Sequence, residues 1–390
     1  MEQKGKGPLA GIKVLEFGQM AAGPFAGMLF ADLGADVVKV ERPDVGDGMR
    51  NWPPFLDHEG EEPFSSNFSS LNRNKRSIVI DFKTPDQLES LKRLCAKADV
   101  ILENFRPGVL GKFGLDYGSL SALNPRLVYC SISGYGQTGP YSQKGAFDVT
   151  VQAISGMMSV TGEEDGDPVK CGVPVADFTA GLYGAFTVSA ALLQAAATGQ
   201  GSYLDCSMLG GVLGISALQT SEYFGNNVAP KRLGSAHPRN APYQSFHGSD
   251  KPFVIAAGND KLWREVCEAT SLTELASDER FVTQTARARH QKELAALLQE
   301  RFSRQTLAEW IAEFDRRGVP CAPINDYADI LKDDIVGQLG LLHQLELPNG
   351  AETTAVGYPV KLSNYEFEIY LRPPLKGEHS SQIPEEWGIS

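Results

Sequence analysis

Short apolar runs of β type alternate with stretches of helical spacing through the first 130 residues, and few folds accept that alternation. Residues 12–17 (Ile-Lys-Val-Leu-Glu-Phe) read as a strand, Gly23-Pro24 punctuates it, residues 25–33 have helical spacing, and residues 34–41 return to β type. Strand, helix, strand in that order predicts a right-handed βαβ unit on a parallel sheet. The pattern then repeats. Residues 77–81, 99–103 and 126–132 are of strand type, with helical stretches at 85–98 and 115–123 between them. A long apolar helix is expected over 179–193 and another over 208–224, the latter long enough to bridge two domains. Beyond it the reading changes to a strand pair at 242–246 and 253–257, then amphipathic helices at 261–270, 289–301 and 306–314. The expected fold class is α/β: a large doubly wound parallel-sheet (Rossmann-like) domain over 1–225 and 326–390, plus a smaller α+β domain over 226–325.

Length agrees with more than one core, since 390 residues exceed what a single core of ordinary size serves. A net charge of −12, from 36 basic and 48 acidic residues, argues against nucleic acid or an anionic membrane as partner. Six scattered cysteines form no C-x-x-C pair, so neither a disulfide framework nor a zinc site is expected. The six histidines show no metal-ligand spacing, and no metal is expected. The first residues lack the h-region of a secretory signal and the Arg-rich pattern of a transit peptide. The nearest approach to a membrane span, residues 180–197, is interrupted by Gly181, Tyr183, Gly184, Ser189 and Gln194. The cytoplasm is the expected compartment.

One acid stands out for chemistry. Asp177 opens the helical stretch after Gly172-Val-Pro-Val-Ala, in a chain with no Ser-His-Asp set, metal cluster or reactive-cysteine motif. It reads either as an N-cap, accepting from free first-turn N–H groups, or as a nucleophile. Gly134-Tyr-Gly-Gln-Thr-Gly139 has the spacing of a dinucleotide fingerprint, but Pro140 to Gly145 continues as loop where a helix is required. The turn Gly18 to Pro24 is the better phosphate candidate. Glu41 closes a strand as a ribose-binding acid would, with Arg42 beside it, the type of residue that takes a ribose-linked phosphate. Arg42, Lys83 and Arg106 fall at C-terminal ends of expected strands, where open α/β sheets bind ligands. Lys75 and Arg76 are expected to be a solvated pair, and Lys39 to face solvent. Glu163 to Asp167 reads as a solvated turn.

Taken together, Leu9 to Leu15, Ala22-Gly-Pro24, Leu33 to Glu41, Asn72 to Ser77, Glu103 to Gly108, Ser133 to Pro140, Gly172 to Gly181, Arg232 to His237, Ala241-Pro-Tyr243 and Gly318 to Ile324 match a known family in order. The chain resembles the class III CoA-transferases (CaiB/BaiF type), and among them most the succinyl-CoA:dicarboxylate, glutarate-type enzymes. The resemblance implies an interlocked homodimer, each chain an open ring threaded by the other. It places the catalytic aspartate at Asp177. By the same matching, coenzyme A contacts fall at Ala21, Ala22, Arg42, Ile80, Asp81, Phe82, Lys83, Asn104, Phe105, Arg106, Lys112, Gly145, Ala146, Phe147 and Asp148.

The implied reaction moves CoA from an acyl-CoA to a small dicarboxylic acid through a covalent aspartyl-CoA ester, with acyl-CoA as co-substrate and no metal. Three departures refine it. The glycine run that forms a lid in the formyl-CoA branch is missing between Gly234 and Gly258, which disfavours oxalate as acceptor. Lys144-Gly145 stands where many relatives have Arg-Pro. Phe147 stands where the related α-methylacyl-CoA racemases place a histidine, and a racemase needs a second proton-transfer group. The alternatives left by the residues are an acyl-CoA racemase or hydrolase of the same fold, and a non-catalytic CoA-binding protein.

Overall fold

A computed structural model describes residues 6–389. They form two compact units, the first made of residues up to Met157, Lys170–Val228 and Gly337 onward, the second of Met158–Val169 and Ala229–Val336. In the first unit the chain runs β1 (Lys13–Glu16), α1 (Ala22–Asp32) and β2 (Asp36–Glu41). A short hairpin, β3 (Phe55–Leu56) with β4 (Phe64–Ser65), leads into α2 (Ser66–Asn72) and β5 (Lys75–Val79). Then come α3 (Pro85–Cys95), β6 (Val100–Glu103), α4 (Tyr117–Ser121) and β7 (Val128–Ser133). The unit continues through α5 (Asp148–Ile154), α6 (Val175–Thr198), β8 (Ser202–Ser207), α7 (Met208–Ile215) and α8 (Ala217–Asn226).

Six of these strands form one sheet in the order β5-β2-β1-β6-β7-β8. Every pairing in it is parallel. The expected doubly wound order is therefore present, with the chain adding strands outward in opposite senses from β1 and from β6. The inner strands are buried on both faces because successive side chains go to opposite cores, while β8 at the edge is only partly covered. Val14, Val37, Val100, Leu102, Val128 and Cys130 pack with α1 and α6. Leu15, Val38, Ile78, Ile101 and Tyr129 pack on the other side with Leu91, Leu94 and Leu120. Helix α3 shows the local logic: Pro85 sits in its first turn, and Leu91, Leu94 and Cys95 turn inward at helical spacing.

Several boundaries differ from the sequence reading. The expected helix over 208–224 is two, α7 and α8, with Ser216 between them. The helix expected to begin at 179 begins at Val175 and runs to Thr198, where Gly199 takes a left-handed φ of 75°. At 24 residues α6 is long and apolar enough to span a bilayer by length and composition, although no such run was expected. Its Ala176, Ala180, Gly184, Val188, Ala191 and Ala195 face is buried in the first core, which is what its small residues serve.

The larger correction concerns charge. Lys39, Lys75 and Arg76 are not solvated: Lys39 and Lys75 are fully buried and Arg76 nearly so. Lys75 Nζ lies 2.7 Å from Glu16 Oε2, Lys39 Nζ 2.8 Å from Glu16 Oε1 and 2.7 Å from Asp47 Oδ2. Arg76 pairs with Asp36 at 2.6 Å. A buried cation is tolerated only with such partners, and alternation along one strand does not reveal partners brought by another. Burial pulls the Lys75 ammonium down to about 8 against the pull of Glu16. Lys39 is held above its usual range, because Asp47 and Glu16 outweigh the cost of burial.

The second unit is built on an antiparallel sheet in the order β11-β10-β9: β9 (Tyr243–His247), β10 (Pro252–Ala256) and β11 (Cys321–Pro323). Helices α9 (Asp260–Thr270), α10 (Gln284–Arg289), α11 (Gln291–Phe302) and α12 (Leu307–Arg317) supply most of its core. Phe246, Phe253, Phe302, Trp310 and Phe314 meet edge to face around Phe302. The helix expected over 289–301 is α11, which starts at Gln291 because Arg289 ends a separate short helix, α10, with His290 between them. The acidic turn at Glu163 belongs to this unit, where Arg232 donates to the carbonyls of Glu163 and Gly166 and Lys292 pairs with Glu164.

Candidate active site

The loops that leave β1 and β6 face each other at the point where the sheet order reverses, the place open α/β sheets offer to ligands. They are tied together. Gln19 N–H donates to Asn104 Oδ1 at 2.9 Å, and Asn104 Nδ2 donates back to Gln19 O at 2.8 Å. Lys39 donates to Gly18 O, and Asp47 Oδ1 accepts from Met20 N–H at 3.1 Å. These bonds hold Met20 at φ 65°, a left-handed conformation that costs a non-glycine residue strain and persists only where the surroundings enforce it. The loop ends at Ala21 and Ala22, where α1 starts without a side-chain cap.

Helix α6 brings Asp177 to this corner. One turn beyond Asp177, Gly181 allows close approach: a Cβ there would lie 2.9 Å from Ala22 O and 2.9 Å from the Phe25 ring. Phe178 and Phe25 pack at a tilt with ring centroids 4.6 Å apart. The first turns of α1 and α6 therefore adjoin. Asp177 is not the N-cap that one reading of the sequence made it. Pro174 holds the cap position, and Asp177 lies in the first turn.

The helix end is instead served by another acid. Asp148 Oδ1 accepts from Ala176 N–H at 2.8 Å, while Asp148 Oδ2 accepts from Gln152 at 2.6 Å. Gln152 is fully buried, and its Oε1 accepts from Cys171 N–H at 2.8 Å. Among the described residues the Asp177 carboxylate accepts no hydrogen bond and meets no cation. Burial raises it, with the nearby Asp148 charge, to about 6. A carboxylate in that condition is ionised at neutral pH yet poorly stabilised, which suits nucleophilic attack.

Four exposed cations lie on the surrounding loops: Arg42, Lys83, Arg106 and Lys112. Arg106 reaches the segment before α5, since a Cβ on Gly145 would lie 3.2 Å from its Nη2. Asn104, Phe105, Arg106 and the run Gly145, Ala146, Phe147, Asp148 are thereby one neighbourhood. Phe82 packs on Phe113 at 5.3 Å and on Phe17 at 6.2 Å, which draws Ile80, Asp81, Phe82 and Lys83 toward Lys112. Asp81 accepts from Lys83 N–H and shapes that turn. Phe147 is 73% exposed and offers no proton-transfer group.

Glu41 does not present a free carboxylate to a ribose. It is buried, pairs with Arg50 at 2.7 Å and accepts from Ser77 and from Asp47 N–H. Lys144 lies over the Tyr141 ring at 3.6 Å. The sequence reading passed over Asp47 and Gln152. Gln152 follows Asp148 by four residues, the spacing at which Asp and Gln side chains bond on a helix, and Asp47 stands between Gly46 and Gly48 in a turn.

The model of CoA-transferase family III matches residues 9–380. A succinate–glutarate CoA-transferase of Agrobacterium fabrum is 40% identical over 97% of this chain and 95% of its own length. The human succinyl-CoA:glutarate CoA-transferase is 38% identical over 97% of this chain and 86% of its own. Among solved structures, a CaiB/BaiF family protein from Brucella suis superposes with a TM-score of 0.87 at 41% identity, covering 98% of this chain and 99% of that one.

Proposed function

The chain belongs to CoA-transferase family III, and on that premise we propose that it moves CoA from succinyl-CoA to a small dicarboxylic acid through an ester on Asp177. The observation that carries the assignment of the nucleophile is the unpaired, raised carboxylate of Asp177 beside the start of α1. The donor class follows the names of the relatives at 38–40% identity.

The steps balance without any further reactant. An Asp177 oxygen attacks the thioester carbon, the C–S bond breaks, and CoA thiolate leaves a mixed anhydride. The thiolate then attacks Cγ of Asp177, the anhydride C–O bond breaks, and the donor acid departs. The acceptor carboxylate attacks the resulting thioester, thiolate leaves, and its return to the acceptor carbonyl frees Asp177. Each tetrahedral oxyanion needs donors, and the uncapped start of α1 beside Asp177 presents backbone N–H groups for that purpose. Covalent exchange divides a transfer between two carboxylates into steps with a good leaving group.

CoA itself would lie along Ala21, Ala22, Ile80 to Lys83, Asn104 to Arg106, Lys112 and Gly145 to Asp148. Arg42, Lys83, Arg106 and Lys112 suit its phosphates as exposed cations at the mouth of the crevice. In this reading the protein is a cytoplasmic homodimer of interlocked rings that engages neither nucleic acid nor membrane. Exposed apolar side chains on α6 and α8, among them Phe186 at 75% and Phe224 at 81%, support burial against a second copy. The absence of an ionisable group at Phe147 favours transfer over racemisation.

Replacing Asp177 by Ala is expected to lower transfer by roughly ten-thousand-fold or more and to remove the hydroxylamine-sensitive enzyme–CoA ester. Transfer at the wild-type rate by that variant would sink the assignment. A screen of succinyl-CoA and acetyl-CoA against glutarate, itaconate, malate, oxalate and carnitine identifies the acceptor, with glutarate expected above oxalate.

A further inference from the structure

A helix start must satisfy its free N–H groups, and an acid in the first turn is ordinarily drawn back to do so. Asp177 occupies such a position, and a nucleophile used as a cap would be both hydrogen-bonded and turned away from substrate. The first two N–H donors of α6 are provided for otherwise. Val175 N–H bonds to Val173 O at 2.7 Å, and Ala176 N–H to Asp148 Oδ1 at 2.8 Å. Asp148 has one oxygen for the helix and the other for the Gln152 Nε2 group, and the Gln152 amide oxygen accepts from Cys171 N–H at 2.8 Å. Gln152 is fully buried, so it has no solvent to turn to and its hydrogen bonds fix the orientation of Asp148.

We propose that Asp148, locked by Gln152, is a positioning residue that caps α6 from the neighbouring helix and so leaves the Asp177 carboxylate unpaired for attack. This rests on the reading of Asp177 as nucleophile. The capping role is distinct from the expected contact of Asp148 with CoA, because both carboxylate oxygens are already committed within the chain. Asp148 is also the charge that acts on Asp177. Of the other titratable groups along α6, Tyr183 sits on the helix itself with its hydroxyl toward Gly214, and two more are thiols on the sheet. Cys206 on β8 donates to Ala180 O, and Cys130 on β7 faces Gly184; burial raises both, Cys206 to about 11. Neither carries charge at neutral pH, and α1 faces this turn with Ala22 and Phe25.

The test compares Asp148→Asn and Asp148→Ala in the full-length enzyme. Asn keeps an oxygen for Ala176 N–H but removes the charge. The acid limb of the kcat profile should move down by about half to one pH unit, with kcat held within about tenfold. Ala frees the Ala176 N–H, so Asp177 should fold back to cap its own helix. The limb then moves further down, and kcat falls about 100-fold while KM for acyl-CoA stays within about threefold. The Asp177 carboxyl signal in a carbon-13 titration, assigned by its loss in Asp177→Asn, should follow the same order. Identical limbs and titrations in wild type and both variants would overturn the proposal, as would a loss of activity expressed in KM alone. If Asp177→Ala transfers CoA normally, the nucleophile reading fails, while the titration still reports whether Asp148 caps the helix.

Discussion

In the proposed mechanism a single acid, Asp177, carries the chemistry, and its surroundings work against its own stability. Asp177 is raised to about 6 by burial and by Asp148. Between its unfolded and folded values the native state binds the extra proton, so stability falls as pH rises through that window and the penalty is complete above it. Asp177→Asn removes the penalty. It should raise stability at pH 7.5 by about 1–3 kcal/mol and leave stability at pH 3 nearly unchanged, measured by denaturant unfolding at both pH values. Lower stability of the Asn variant at pH 7.5 would count against the environment described for Asp177. The sequence marked this residue through the stretch around it but left two roles open, cap or nucleophile. Only the third dimension supplies Asp148 as the rival cap, because Asp148 and the Ala176 N–H it accepts from are 28 residues apart in the chain.

At the scale of elements, glycines decide which segments can touch. Gly134, just past β7, has no room for a side chain: a Cβ would lie 2.1 Å from the Ala146 Cβ. That contact sets the course of the chain two residues before Asp148. Gly134→Ala is therefore expected to cost about 1–3 kcal/mol in thermal stability through overpacking, and to lower kcat by displacing the cap of α6. Pairing it with Ala146→Gly returns the missing space and should recover most of both losses. A double variant no better than the single one would show that the backbone of Gly134, rather than its contact with Ala146, is at issue. The sequence predicted strands and helices here from periodicity, and their boundaries moved by a few residues. It misplaced Lys39, Lys75 and Arg76 for a different reason. A lysine in a strand has the same local pattern whether it faces water or a buried acid, and Glu16 and Asp47 come from elsewhere in the chain.

For the whole molecule, the parallel sheet brings the loops after β1 and β6 into one crevice, and the exposed cations around it are local exceptions to a net charge of −12. The apolar side chains left open on α6 and α8 are where the second copy of the proposed homodimer would pack. Sedimentation equilibrium should give twice the 42.2 kDa chain mass at nanomolar concentration, since interlocked rings separate only by unfolding. A monomer that forms on dilution would contradict the interlocked assembly. What the sequence determined by itself is the α/β class, the order of strands and helices, and the family. These follow from patterns that are local or read in register along the chain. The tertiary structure alone decided which acids and lysines are buried together, that Asp148 and Gln152 serve the start of α6, and that the Asp177 carboxylate has no partner among the described residues. Burial and hydrogen-bond competition depend on groups far apart in sequence, and no local pattern records them.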